Sequence, residues 1–122
     1  MLAAYIELIL LITGLATAGV LIVSVAPVAV MKMLFGQAPS DALSLFIARH
    51  WGLLVCLVGA LLMYAAYHAE VRVPTLIVAI AEKAALVLGL LLSPFRRRPT
   101  VLAMALADAG MSAVYALYLT GL

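Results

Sequence analysis

Long apolar stretches, separated by short polar segments, make up nearly all of this chain. A helix of about 20 apolar residues crosses the hydrocarbon core of a bilayer, and that core offers no water to satisfy exposed backbone groups. Runs of this kind are therefore expected to be helical. Pro27 is expected to kink or end the first helix, because proline has no N–H donor and clashes with the preceding turn. The pattern predicts helices over about residues 3–30, 42–67, 75–93 and 100–120.

Composition points to the same class of protein. Of the 122 residues, 69% are hydrophobic and 10% are charged, whereas a soluble domain is about half apolar and a quarter charged. We predict an all-α fold, a polytopic integral membrane protein whose residues 1–122 form a single four-helix transmembrane bundle. The lipid bilayer is its expected partner. The net charge of +2 is too small to indicate nucleic-acid binding.

Few residues are available for metal or cofactor chemistry. Cys56 is the chain's one cysteine, and the two histidines, His50 and His68, lie eighteen residues apart. This set contains no zinc or haem motif. No metal site is therefore expected, and the sequence does not identify a cofactor.

Basic residues in the loops indicate how the helices are oriented. Lys32 lies in the first loop and Arg96, Arg97 and Arg98 lie in the third, whereas the second loop pairs Arg72 with an acidic residue. The positive-inside rule places the first and third loops in the cytoplasm. Both termini are then outside, in a multi-pass protein of the cell membrane. The triple arginine could instead bind anionic lipid.

Ionisable residues inside the apolar runs are the main candidates for function. Arg49, Glu82, Lys83 and Asp108 lie within predicted spans, where each charge costs on the order of 2.5–3.5 kcal/mol on insertion scales. Such residues usually face a partner or a wet cavity. An arginine side chain could reach across and bind a carboxylate with its two-pronged guanidinium group.

Helical spacing suggests which of these side chains meet. Arg49 aligns with small residues on the second helix and Glu82 does so on the third, and small residues favour close helix packing. We predict an inward-facing polar cluster of Arg49, Glu82 and Asp108, with His50 and Tyr115 close by, as a ligand-binding site. Two alternatives stay open: an Arg49–Asp108 pair that only fixes helix packing, and a His50 that only anchors the interface.

Glu82 and Lys83 require separate interpretations because adjacent helical residues lie about 100° apart. Two acids with one arginine leave Glu82 without a full partner, so it could exchange a proton or hold a cationic or hydroxylated ligand. Alternatively, Glu82 is neutral and hydrogen-bonded to a backbone carbonyl or to a threonine or serine side chain. Lys83 falls on a face expected to contact lipid, a second protomer or another subunit, or it snorkels to the surface.

The chain resembles the DoxX-like group of small four-helix membrane proteins. The similar features are Ala48-Arg49-His50-Trp51-Gly52 at the start of the second helix, Ala81-Glu82-Lys83-Ala84-Ala85 on the third, and Asp108 on the fourth. The resemblance covers most of the chain. It implies an architecture similar to that of proteins that handle sterols, quinones or other apolar ligands, or that assist membrane complexes.

Three functional hypotheses follow. The first is a bundle with an internal polar pocket that binds a small lipid-like or quinone-like molecule; an isomerase or redox-accessory activity stays open. The second is an accessory or assembly subunit, or a homo-oligomer, that packs the face of Lys83 against a partner. The third is a proton-coupled small transporter acting as a dimer. Small multidrug transporters have the same size but carry an essential acid in helix one, and Glu7 lies too near the helix end to match it.

Overall fold

A computed structural model describes residues 2–121 of the chain. Within that range the chain is helical throughout and contains no strand, which confirms the all-α prediction. The five helices are α1 (Leu2–Val25), α2 (Pro27–Phe35), α3 (Ala42–Tyr67), α4 (Ala69–Leu91) and α5 (Pro99–Leu119). Single 3₁₀ turns interrupt α1 at Gly19–Leu21 and open α4 at Ala69–Val71.

Among the described residues, the helices α1, α3, α4 and α5 are each long and apolar enough to cross a membrane. The shortest of them, α5, has 21 residues, so it spans about 32 Å at 1.5 Å per residue. Large apolar side chains cover their outer faces; Leu8, Ile47 and Leu106, for example, are all more than half exposed. An outer surface of this kind fits lipid rather than water, and the chain is a membrane protein.

Successive long helices run antiparallel and pack as neighbours. α3 packs along α1 and also contacts α4, and α4 packs along α5. The remaining seam, between α5 and α1, is different. There α5 meets the first turn of α1 at one end of the bundle and α2 at the other. Between these two contacts, the backbones of α1 and α5 hardly approach each other.

Glycine creates the close contact between α1 and α3. A Cβ atom at Gly59 would lie against the backbone of Ala18 and 2.5 Å from the carbonyl oxygen of Gly14. The two backbones can therefore touch only because Gly59 has no side chain. This is the use of small residues expected between membrane helices, where van der Waals packing replaces the hydrophobic effect.

The observed helix ends differ from the predicted ones in two places. Pro27 does end the first helix, but it also begins α2, where proline at the first position loses no hydrogen bond. The predicted loop after residue 30 was therefore placed too early. The second difference is at the start of α4, which begins at Ala69 rather than at residue 75. Arg72 stabilises this start by donating to the carbonyl oxygens of Ala65 (2.8 Å) and Ala66 (2.7 Å) at the end of α3.

The first and third loops meet at one end of the bundle, which we call the basic end because it contains Lys32 and Arg96 to Arg98. Arg98 donates to the carbonyl oxygen of Leu34 (3.2 Å), which lies in the last turn of α2. Gly36 ends α2 in the left-handed conformation with φ of 78°, and a Cβ atom there would meet the Arg98 guanidinium. Arg98 therefore caps a helix, whereas Arg96 and Arg97 are exposed.

The glycine contact predicts a measurable difference between two substitutions. Gly59→Ala is expected to lower the free energy of unfolding by about 1–3 kcal/mol, because the added methyl group forces α1 and α3 apart. Gly89→Ala is the matched control, because a Cβ atom at Gly89 meets nothing within 4 Å. Unfolding in detergent micelles, followed by loss of helicity, measures both. Equal stability of the two variants would contradict the close packing at Gly59.

Candidate functional site

The polar centre of the bundle is an ion pair between Lys83 of α4 and Asp108 of α5. The ammonium nitrogen lies 3.1 Å from Asp108 Oδ1, and the side chains are 1% and 13% exposed. It is the one ion pair within 4.0 Å among residues 2–121. Both residues lie near the middle of their helices, so the pair is at hydrocarbon depth. Each charge stabilises the other where either alone would be costly.

The ion pair continues into a set of hydrogen bonds on α1. Lys83 also donates to Thr17 Oγ1 (2.9 Å), and the Thr17 hydroxyl donates to the carbonyl oxygen of Thr13 (2.7 Å). The Tyr115 hydroxyl donates to Thr13 Oγ1 (2.6 Å). One polar network therefore joins α1, α4 and α5. Its groups have partners inside the protein, as groups that cannot reach water require.

Two further polar atoms near this network have no partner. Glu82 Oε1 and Ser112 Oγ are buried and form no hydrogen bond within the described residues. Ser112 lies one helical turn beyond Asp108 on α5, and Glu82 precedes Lys83 on α4. The unpaired atoms show that the polar groups at this depth are not fully satisfied by the chain itself.

A small cavity of about 180 Å³ lies beside the ion pair and is lined by all four long helices. Thr17, Lys83 and Asp108 supply its polar wall, and Trp51 forms part of its apolar wall. Its two exposed lining residues are Ala16 on α1 and Ala107 on α5. The mouth of the cavity is therefore on the loosely packed α1–α5 seam, facing the surface that fits lipid.

The prediction that Arg49 joins the cluster is wrong. The buried face of α3 contains Ala48, Gly52 and Val55, so Arg49, one position further along, points outward. Arg49 and His50 are both exposed, and the His50 ring stacks on Phe46 at 5.8 Å between centroids. Neither residue belongs to the internal polar network.

The prediction that Lys83 contacts lipid or a partner chain is also wrong. The buried face of α4 contains Leu76, Ala79 and Lys83. The prediction had placed Glu82, three residues after Ala79, on that face instead. A step of four residues, rather than three, gives the inward face here. Lys83 takes the position expected for Arg49, as the cation that meets Asp108.

Of the other residues expected in the cluster, Tyr115 and Asp108 face the inside of the bundle, whereas Glu82 does not join the polar network. Tyr115 is fully buried and faces α1, and Asp108 faces the bundle with it. Glu82 is partly buried but does not line the cavity. Thr13 and Thr17 were missed, although threonines four residues apart in an apolar helix align on one face. Their spacing was the signal that could have identified them.

The chemistry available at this site is hydrogen bonding and charge. Residues 2–121 contain no group of three His, Cys, Asp or Glu side chains that could hold a metal ion. The ammonium group of Lys83 can donate three hydrogen bonds, and two of them go to Thr17 and Asp108. The third has no acceptor among the described residues.

The ion pair predicts a characteristic pattern of stabilities. Lys83→Met leaves Asp108 as an uncompensated buried charge, so it is expected to cost about 3–5 kcal/mol. The double variant Lys83→Met with Asp108→Leu removes both charges and is expected to recover most of that loss. Unfolding in micelles gives both values.

Arg97→Met is the matched control for this series, because it removes a cation from an exposed loop position and is expected to change stability little. If Lys83→Met were as stable as the parent, or the double variant were less stable than Lys83→Met, the pair would not have the stabilising role described.

No protein-family model, curated protein or solved structure matches this chain. The resemblance to the DoxX-like group therefore stays a prediction from the sequence. What the structure establishes is a membrane protein of four long helices with a Lys83–Asp108 ion pair in its core.

Proposed function

We propose that the protein binds a small lipid-soluble molecule with a polar ring or head group, such as a quinone, in the cavity beside Lys83 and Asp108. The observation that carries the proposal is the position of the ion pair in the wall of a cavity whose mouth faces lipid. A purely structural ion pair needs no cavity beside it. A binding site needs both the polar group and the space.

The size of the cavity limits the part of a ligand that can enter. Drug-sized ligands occupy pockets of about 300–1,000 Å³, whereas an engineered cavity of about 150 Å³ holds benzene. The 180 Å³ cavity therefore suits a single ring or a short polar head. Any longer alkyl tail would leave between Ala16 and Ala107 and lie along the α1–α5 seam, in lipid.

The lining residues support a ligand with hydrogen-bond acceptors. Lys83 presents a donor, and Trp51, Met104 and Met111 form an adaptable apolar wall. A ring that carries carbonyl oxygens satisfies both requirements. Glu82 and Tyr115 lie outside the cavity lining, so we assign them no direct contact with the ligand.

We also propose that the basic end lies on the cytoplasmic side of a cell membrane. Arg98 contacts α2, which brings the first and third loops to the same end, and basic loops favour the cytoplasm. The accessory-subunit and dimeric-transporter hypotheses stay predictions from the sequence. The accessory-subunit hypothesis depended mainly on Lys83 packing against a partner, and Lys83 is buried within its own chain.

Trp51 allows a direct test, because it is the chain's one tryptophan and it lines the cavity. Titration of the purified protein with a short-chain quinone, decylubiquinone, is expected to quench Trp51 fluorescence in a saturable manner. Ala107→Phe fills the mouth without touching the ion pair, so it is expected to weaken binding by about tenfold or more.

Ala113→Phe is the matched control, because Ala113 is also exposed on α5 but lies outside the cavity lining. It is expected to bind as the parent does. Non-saturable quenching, equal to that of a free tryptophan analogue in the same micelles, would contradict the proposal. So would identical affinities of the Ala107→Phe and Ala113→Phe variants.

A further inference from the structure

Arg49 and His50 form a second polar feature, separate from the cavity. With Ser24, Phe46 and Leu53 they line a shallow surface groove of about 340 Å³. Phe46 holds the His50 ring in place by stacking. No carboxylate among residues 2–121 lies within 4.0 Å of the Arg49 guanidinium. The groove therefore presents a cation that the described chain does not neutralise.

The depth of Arg49 follows from two hydrogen bonds. The Ser24 hydroxyl donates to the backbone carbonyl of Arg49, whereas Thr17 contacts the ion pair. Ser24 lies seven residues beyond Thr17 on α1, which is roughly 10 Å nearer the basic end. Since the ion pair is near the middle of the spans, the long Arg49 side chain reaches the edge of the ~30 Å hydrocarbon core.

This level of the membrane contains lipid phosphate groups. Guanidinium binds phosphate with two parallel hydrogen bonds. The surrounding charge favours an anion as well. Lys32, Arg96 and Arg97 are exposed at this end, and Asp41 is the acid in the adjoining loop. The excess of positive charge attracts anionic lipid in preference to zwitterionic lipid.

We infer that the groove between α3 and the end of α1 binds the head group of an anionic phospholipid, with Arg49 on its phosphate. His50 and Phe46 form the side of the groove against the head group, and Leu53 contacts the start of an acyl chain. This site is independent of the cavity ligand, because it lies on the outer surface and shares no lining residue with the cavity.

The test uses the purified chain in micelles with equal amounts of phosphatidylglycerol and phosphatidylcholine that have the same acyl chains. Native mass spectrometry counts the lipids that stay bound. The parent protein is expected to retain phosphatidylglycerol in preference to phosphatidylcholine. Arg49→Gln is expected to reduce the retained phosphatidylglycerol by about tenfold, because it removes a charge-assisted contact.

Arg97→Gln is the matched control, since it removes the same charge from a loop at the same end. It is expected to change retention by less than about twofold. If both variants lost the same amount of bound phosphatidylglycerol, the lipid would be held by general charge attraction, and the proposed site in the groove would be wrong. Unchanged retention in Arg49→Gln would overturn it too, as would equal retention of the two lipids by the parent. Thermal unfolding of Arg49→Gln in lipid-free micelles, expected to match the parent, excludes misfolding as the cause.

Discussion

The buried ammonium group of Lys83 needs partners, and this need determines how three of the four long helices are arranged. Lys83 on α4 can be accommodated at hydrocarbon depth only if its charge is matched by Asp108 on α5 and its other N–H donors are offered further acceptors. Thr17 supplies one of these from α1. Because each contact has a narrow range of distance, the network fixes how far each helix is shifted along its neighbours. Membrane helices lack the hydrophobic drive that sets register in water, so polar contacts of this kind give specificity.

The same arrangement explains why the cavity beside the ion pair lies on this side of α1. α1 lies against α3 with backbone contacts at Gly59, which leave no space. On its other side, α1 reaches α4 and α5 through the long side chains of Lys83 and Tyr115. Long bridging side chains hold helices further apart than glycine does. The space beside Thr17 is therefore a consequence of using both kinds of contact on one helix.

The sequence was sufficient for the class of fold but not for the members of the site. Apolar runs of membrane length can form little other than helices, so the number and order of the four long helices followed directly. Choosing the inward face was harder, because steps of three and of four residues both follow a helix face. Ala79 could share its helix face with Glu82, three residues on, or with Lys83, four residues on. Gly52 could share its face with Arg49 or with Ala48 in the same way. In both cases the four-residue step was the one observed. Only the packing of neighbouring helices decides between them, and that is a property of the assembled bundle.

The positions of the two cations also follow from their chemistry. The compact ammonium group of Lys83 has three donors, and the bundle centre offers Thr17 and Asp108 as acceptors. A guanidinium group has five donors in a fixed plane, so at the same place it would leave more of them unsatisfied. At the membrane boundary this limit disappears, because water and phosphate supply acceptors freely. The exposed Arg49 and the buried Lys83 therefore each lie where the surroundings suit the number of N–H donors that the side chain carries.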